Sequence, residues 1–282
     1  MTEDLAIFAR GLRKSYGATA AVAGLDLAVR QGEVFALLGP NGAGKTTTVE
    51  ILEGFRRRDG GEVSVLGIDP ARADAAWRAR VGIVLQGTGE FEDLTVGEVV
   101  RHFAGFYPNP DNPAAVIKQV GLAEKTRSRT HALSGGQRRR LDVALGIIGR
   151  PELLFLDEPT TGFDPQARRE FWDLVRGLAA GGTTILLTTH YLYEAEALAD
   201  RVGVITGGRL VAVDTPERLG DRANAPATVT WRDGGETRSE QTATPTALVA
   251  ELAARYDGGE VPELAVTRPT LEDVYLTLIG ER

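Results

Sequence analysis

Apolar and polar positions alternate over residues 5–9 and 25–30. That two-residue period predicts half-buried strands, paired antiparallel. Two runs are apolar throughout, Val34-Phe35-Ala36-Leu37-Leu38 and Leu153-Leu154-Phe155-Leu156, as expected of strands buried on both faces of a parallel sheet. Val81 to Leu85 and Thr183 to Thr189 predict further strands. Gly60 to Gly67 reads as a glycine-bounded strand pair or hairpin arm, and Arg201 to Val213 as two short strands joined at Gly207-Gly208.

Helical periods fall between these strands. One helix starts at Thr46, a short one covers Trp77 to Arg80, and residues 88–132 turn helical as a block. In that block Thr95 is an N-cap with Glu98 three residues on, a capping box. Pro108, Pro110 and Pro113 break the chain before a helix from Ala114 to Val120, and an amphipathic helix covers 166–179. Beyond residue 215 the pattern changes scale: strands 227–231 and 236–242 flank Asp233-Gly234-Gly235, a helix runs from Thr246 to Tyr256, a strand from Glu263 to Thr267, and a capped helix starts at Thr270. The expectation is an α/β domain over 1–215, with an antiparallel β portion and a helical insertion at about 88–150, followed by a small α+β domain over 216–282.

Composition narrows the function. The 282 residues carry a formal net charge of −7, which disfavours a general nucleic-acid-binding surface. The chain has no cysteine, which excludes disulfides, thiolate metal sites and cysteine nucleophiles. No apolar run approaches the roughly 20 residues that cross a bilayer, and the acidic start Met1-Thr2-Glu3-Asp4 lacks the core of a signal peptide. A chain of this kind that works at a membrane is expected to dock on a partner.

Candidate chemistry centres on Gly39-Pro40-Asn41-Gly42-Ala43-Gly44-Lys45-Thr46, with Thr47 behind it. It fits G-x-x-x-x-G-K-[ST] between a predicted strand and a predicted helix. Glycines let successive N–H groups converge on phosphate oxygens, and the helix start adds open donors and positive dipole. Lys45 supplies charge to the β- and γ-phosphates, and the Thr46 hydroxyl is placed to ligate Mg²⁺. About 90 residues beyond Lys45, Leu133-Ser134-Gly135-Gly136-Gln137 offers a second helix start open to an anion. The arginines 138–140 after it read as a solvated helix face.

Asp157 and Glu158 end the second apolar run, at the strand end where α/β sheets bind ligands. Neighbouring strand residues point opposite ways, so Asp157 suits Mg²⁺ and Glu158 an attacking water. Gln86 and His190 also end predicted strands. Taken alone each reads as a polar boundary or a structural residue. Tyr16 suits either stacking on an adenine or packing at a sheet edge. His102 and His131 have no second ligand at metal spacing and read as structural.

Taken together, these motifs resemble the nucleotide-binding subunits of ABC transporters over residues 5–215. Gly39 to Thr46 is similar to Walker A, Tyr16 to the A-loop aromatic, Gln86 to the Q-loop glutamine and Leu133 to Gln137 to the family signature. Leu153 to Glu158 is similar to Walker B with its catalytic glutamate, Asp164 to the D-loop aspartate and His190 to the switch histidine. Phe163 stands where leucine is commoner. The resemblance implies an ABC ATPase, a phosphate-loop NTPase core that uses ATP and Mg²⁺, the metal held through Thr46, Gln86 and Asp157. It also implies a head-to-tail dimer with a second copy, each ATP lying between Lys45 of one and Ser134-Gly135-Gly136 of the other, on the cytoplasmic face of a membrane permease. The ending Pro269 to Leu276 is similar to exporter ATPases of the daunorubicin-resistance type. A soluble ABC ATPase acting on ribosomes or DNA, or an importer subunit, is the alternative.

Overall fold

In the computed structural model the structure describes residues 4–84, 91–256 and 259–280. Contacts group the chain into two units, Met1–Val213 and Asp214–Arg282. In the first, the strands are β1 (Leu5–Tyr16), β2 (Thr19–Arg30), β3 (Val34–Leu38), β4 (Gly60–Val65), β5 (Val81–Val84), β6 (Leu153–Asp157), β7 (Thr184–Thr188), β8 (Arg201–Thr206) and β9 (Arg209–Asp214). Its helices are α1 (Lys45–Leu52), α2 (Ala75–Arg78), α3 (Val96–Ala104), α4 (Pro113–Gln119), α5 (Gly135–Ile147), α6 (Pro165–Ala180) and α7 (Leu192–Leu198).

Six strands form one sheet in the order β5-β6-β7-β3-β8-β9. The β5–β6, β6–β7, β7–β3 and β3–β8 pairs are all parallel. Every residue of β3 and β7 is buried, as are the first four of β6, which is why these strands are apolar without alternation. The parallel register sets the ends of β6, β7 and β3 side by side, with Asp157 opposite Thr188 and Thr188 opposite Leu37. The loops that follow these three strands therefore open on one edge.

The antiparallel sheet has the order β2-β1-β4. Its inner face joins the core of the larger sheet: Ile7, Leu12 and Val29 pack in one cluster with Phe35, Leu37, Ile51 and Phe155. Gly60 to Gly67 is not a hairpin of its own. β4 pairs along β1, Ile7 with Val65 and Arg10 with Glu62. Asp69 then caps a 3-10 turn at Pro70–Arg72, so no return strand forms. The helical insertion carries its capping box as expected: Thr95 Oγ1 accepts from the Glu98 amide, and Glu98 Oε2 accepts from the Thr95 amide at 2.8 Å. α3 turns Val96, Val99 and Val100 inward and touches α4 and α5.

The second unit pairs β10 (Ala227–Asp233) with β11 (Glu236–Thr242) and β12 (Ala265–Thr267), both antiparallel. Helix α8 (Pro245–Arg255) covers the sheet through a small core of Val229, Trp231, Leu248, Leu252 and Val261. Helix α9 (Leu271–Ile279) starts on a Thr270–Asp273 capping box and stops at left-handed Gly280.

Candidate nucleotide site

The loop after β3 is held close to its neighbours. A Cβ on Gly39 would lie 2.3 Å from the carbonyl oxygen of Ile205, and one on Gly44 would lie 2.3 Å from that of Ala21. Gly44 has φ +103° and caps α1 without a side chain, so the first N–H donors of the helix are not taken by a cap. Lys45 is 8 % exposed; its Nζ donates to the carbonyls of Gly39 at 2.6 Å and Pro40 at 3.1 Å. Burial pushes the Lys45 ammonium below its ordinary pKa, and the charges of Glu158 and Asp157 pull it back up. A cavity of about 390 Å³ stands over this loop, lined by Asn41, Gly42, Gly44, Lys45, Thr46 and Thr47, with Tyr16 and Ala21 on one side and Asp157 and Glu158 among its walls. Pro40 is half-buried, while Gly39 and Ala43 are buried behind the loop.

Tyr16 ends β1 at the tip of the β1–β2 hairpin and is 43 % exposed. The Arg56 guanidinium lies 5.3 Å and the Lys14 ammonium 5.7 Å from its ring centroid.

At the end of β6 the two acids take different partners. Thr188 Oγ1 donates to Asp157 Oδ1 at 2.5 Å. Glu158 has φ +43°, a strained region for a residue with a Cβ. Its amide donates to the Thr188 carbonyl at 3.0 Å, and its Oε1 lies 3.3 Å from His190 Nδ1. Lys45, Thr46, Asp157, Glu158 and His190 are thus brought together at the ends of three adjacent strands. Thr46 and Asp157 are oxygen donors on one cavity, a set that suits a hard cation sharing phosphate and water ligands. Among the described residues no group of three or more His, Cys, Asp or Glu could hold a metal alone. Gln86 lies outside the described residues.

Ser134 and its neighbours stand elsewhere. Gln137 and Ser134 exchange hydrogen bonds as a capping box at the start of α5, at 3.3 and 3.1 Å. They line a second cavity of about 500 Å³ with Gly135, Gly136, Gly162, Asp164 and others. Asp164 caps α6, accepting from the amides of Gln166 and Ala167 at 2.9 and 2.8 Å. Among the described residues the two cavities share no lining group.

Residues 22–161 match the family described as ABC transporter. The chain is 41 % identical to a daunorubicin resistance ATP-binding protein of Streptomyces coeruleorubidus, over 99 % of this chain and 97 % of that one. The chain belongs to the ABC transporter ATP-binding proteins. It is also 41 % identical to a Nod factor export ATP-binding protein I of Ralstonia nicotianae, over 96 % of this chain and 92 % of the relative. Among solved structures, a Clostridium perfringens protein described as part of an ABC transporter complex is 29 % identical with a TM-score of 0.70, over 77 % of this chain and 90 % of that one. As a member of this family the chain is an ATPase subunit, and no helix among its described residues is long and apolar enough to cross a membrane.

Within the cassette, three features were missed by sequence reasoning. Arg139 does not lie on a solvated face: it is 8 % exposed, and it donates to the carbonyls of Asp157 at 2.5 Å and Pro159 at 3.2 Å. Its partner at i+3, Asp142, is buried too, with Nη1 and Oδ2 3.9 Å apart. The i, i+3 spacing of Arg139 and Asp142, opposite charges on one helix face, was the available signal. Burial pushes the guanidinium down from its ordinary pKa, against the pull of Asp142, Asp157 and Glu194. Glu53, just past α1, is buried, and that burial, with Asp157 and Glu50 nearby, pushes its carboxyl up to about 8. Glu194 of α7 is fully buried; burial pushes its carboxyl up, while Thr189, Thr160, Trp172 and Arg168 pull it back.

Proposed function

We propose that the chain powers export of a drug-like or hydrophobic compound through a separately made membrane permease, on the cytoplasmic face of the membrane. Two copies work head to tail. Each ATP lies between the Lys45 loop of one copy and Ser134-Gly135-Gly136-Gln137 of the other. The observation that carries the pairing is the separation of these two groups into cavities that share no residue among those described: each group would supply half of a site. The export reading is supported by relatives named for daunorubicin resistance and Nod factor export.

Tyr16 offers its exposed ring to the adenine. The backbone of Gly39 to Lys45 and the open donors of α1 take the phosphates. Thr46 and Asp157, with Gln86, would hold Mg²⁺, which would supply positive charge against the phosphates. Glu158 orients the attacking water and takes its proton, and His190 holds both Glu158 and the γ-phosphate side. Asp164 joins the contact between copies. Lys45, released from the Gly39 and Pro40 carbonyls, meets the charge that grows on the leaving phosphate.

Glu158→Gln tests the reading. The variant should keep ATP binding and pair with itself in ATP, seen as a shift in size exclusion. Its phosphate release should fall at least about a hundredfold, as for loss of a general base. Normal turnover in that variant would refute the assignment.

A further inference from the structure

Glu158 is strained, and what holds it there comes from the helix that starts at Ser134. Arg139 sits one turn into α5. Its guanidinium donates to the carbonyl of the residue before Glu158 and to that of the residue after it. The fork shape of the group lets one side chain grip two acceptors. Asp142, one turn further along α5, faces the same guanidinium. On the opposite side the Glu158 amide bonds to Thr188. The strand end is therefore clamped between β7 and α5, with its left-handed residue in the middle.

We propose that Arg139 is a positioning residue for Glu158: it holds the strained backbone at 157–159 and ties it rigidly to the helix whose first turn carries Ser134. The helix cap meets the nucleotide held by the second copy, and the strand end meets the nucleotide held by its own Lys45. A shift of α5 on closure of the pair is thus passed to Glu158 through one side chain. The assignment of Glu158 and Ser134 rests on the proposed function; the grip itself does not.

Arg139→Lys keeps the charge beside Asp142 but cannot span both carbonyls, and Arg139→Met removes both donors at similar length. Two measurements on the full chain decide. Hydrogen–deuterium exchange reads the grip without turnover: peptides over residues 153–163 should exchange faster in both variants, while those over 45–52 stay as in the wild type. Steady-state ATPase reads its consequence: kcat should fall about tenfold at unchanged KM, the loss expected when a charged hydrogen bond to the backbone of a catalytic group is removed. ATP-driven pairing in a Glu158→Gln background should be the same with and without Arg139→Lys. Unchanged exchange over 153–163 in a folded variant, or kcat within twofold of wild type, or a loss carried by KM or by pairing, would overturn the proposal. Should Arg139→Met fail to fold, Arg139→Lys alone decides. A wild-type chain that hydrolyses no ATP would sink the proposed function, and the exchange result would still settle the grip.

Discussion

The Arg168 guanidinium lies over the ring of Tyr193, 4.9 Å from its centroid. It also covers Tyr191 at 5.7 Å, and its Nη2 donates to the Phe163 carbonyl at 3.3 Å. Tyr191 in turn stands against His190, ring centroids 4.0 Å apart. One side chain on α6 thus links the turn before Asp164 to the segment that carries His190. Arg168→Ala removes a cation–π contact worth about 1 kcal/mol and should lower kcat about fivefold. The chain has only three histidines, so their ring signals are separable by NMR. In this variant the His190 signal should move, with those of His102 and His131 in place. A stationary His190 signal means that Arg168 does not position the ring.

Much of this arrangement is legible in the sequence, for physical reasons. β3 and β6 are buried on both faces and so write themselves as unbroken apolar runs. The residues that end them, Gly39 and Asp157, therefore fell at a sheet edge by inference. The Thr95, Ser134 and Thr270 caps are local and need only a few residues to be read. Non-local facts were harder. The pairing of β4 with β1 joins segments some fifty residues apart in the chain, and a glycine-bounded strand does not say which neighbour it takes. Three arginines in a row hide which one turns inward, and only the register of α5 singles out Arg139. Glu53 follows Leu52 and precedes Gly54, which looks like an ordinary helix end; its burial arises from what packs over it. The proposed link between Ser134 and Lys45 comes from family resemblance, because among the described residues the two line separate cavities.

The phosphate loop should tolerate a methyl at one glycine and not at another. Gly42 has φ +78° with open space where a Cβ would stand. Gly42→Ala should therefore cost only the left-handed strain, about 1 kcal/mol. Gly44 has φ +103° and would drive its Cβ to 2.3 Å from the Ala21 carbonyl oxygen. Gly44→Ala carries the same strain plus a backbone clash, and should cost about 3 kcal/mol or more with loss of nucleotide binding. Urea midpoints of the two variants, with binding of a fluorescent ATP analogue, check the order; equal midpoints would contradict it.

Glu53 makes stability depend on pH in a direction opposite to that of a salt-bridged acid. Its folded pKa is about 8 against an ordinary value of 4.5. Between those values the folded chain holds a proton that the unfolded chain has released. Stability from this group is therefore full below about pH 4.5 and is lost as pH rises towards 8, at up to about 1.4 kcal/mol per pH unit. Glu53→Gln, which cannot ionise, should remove that slope. In nucleotide-free protein without Mg²⁺, the variant should gain on the wild type from pH 5.5 to pH 8 in urea melts. A constant difference across that range would show that Glu53 does not titrate there.

The proposed pairing of half-sites makes a complementation prediction. Lys45→Ala disables the phosphate loop of a chain but leaves its Ser134 cap intact. Ser134→Arg blocks the cap, at the start of α5, but leaves Lys45 on its Gly39 and Pro40 carbonyls. Each variant alone forms only defective sites, since every site in such a pair lacks either the lysine or the cap. Mixing the two should create a hybrid pair in which one site combines native Lys45 with native Ser134. With equal amounts, half of the random pairs are hybrids with one intact site of two, so ATPase activity should return to about a quarter of wild type. Titrating one variant into the other gives the curve, with a maximum near equal proportions. Flat activity across the titration, with each variant folded and the wild type active, would rule out a site shared between two copies.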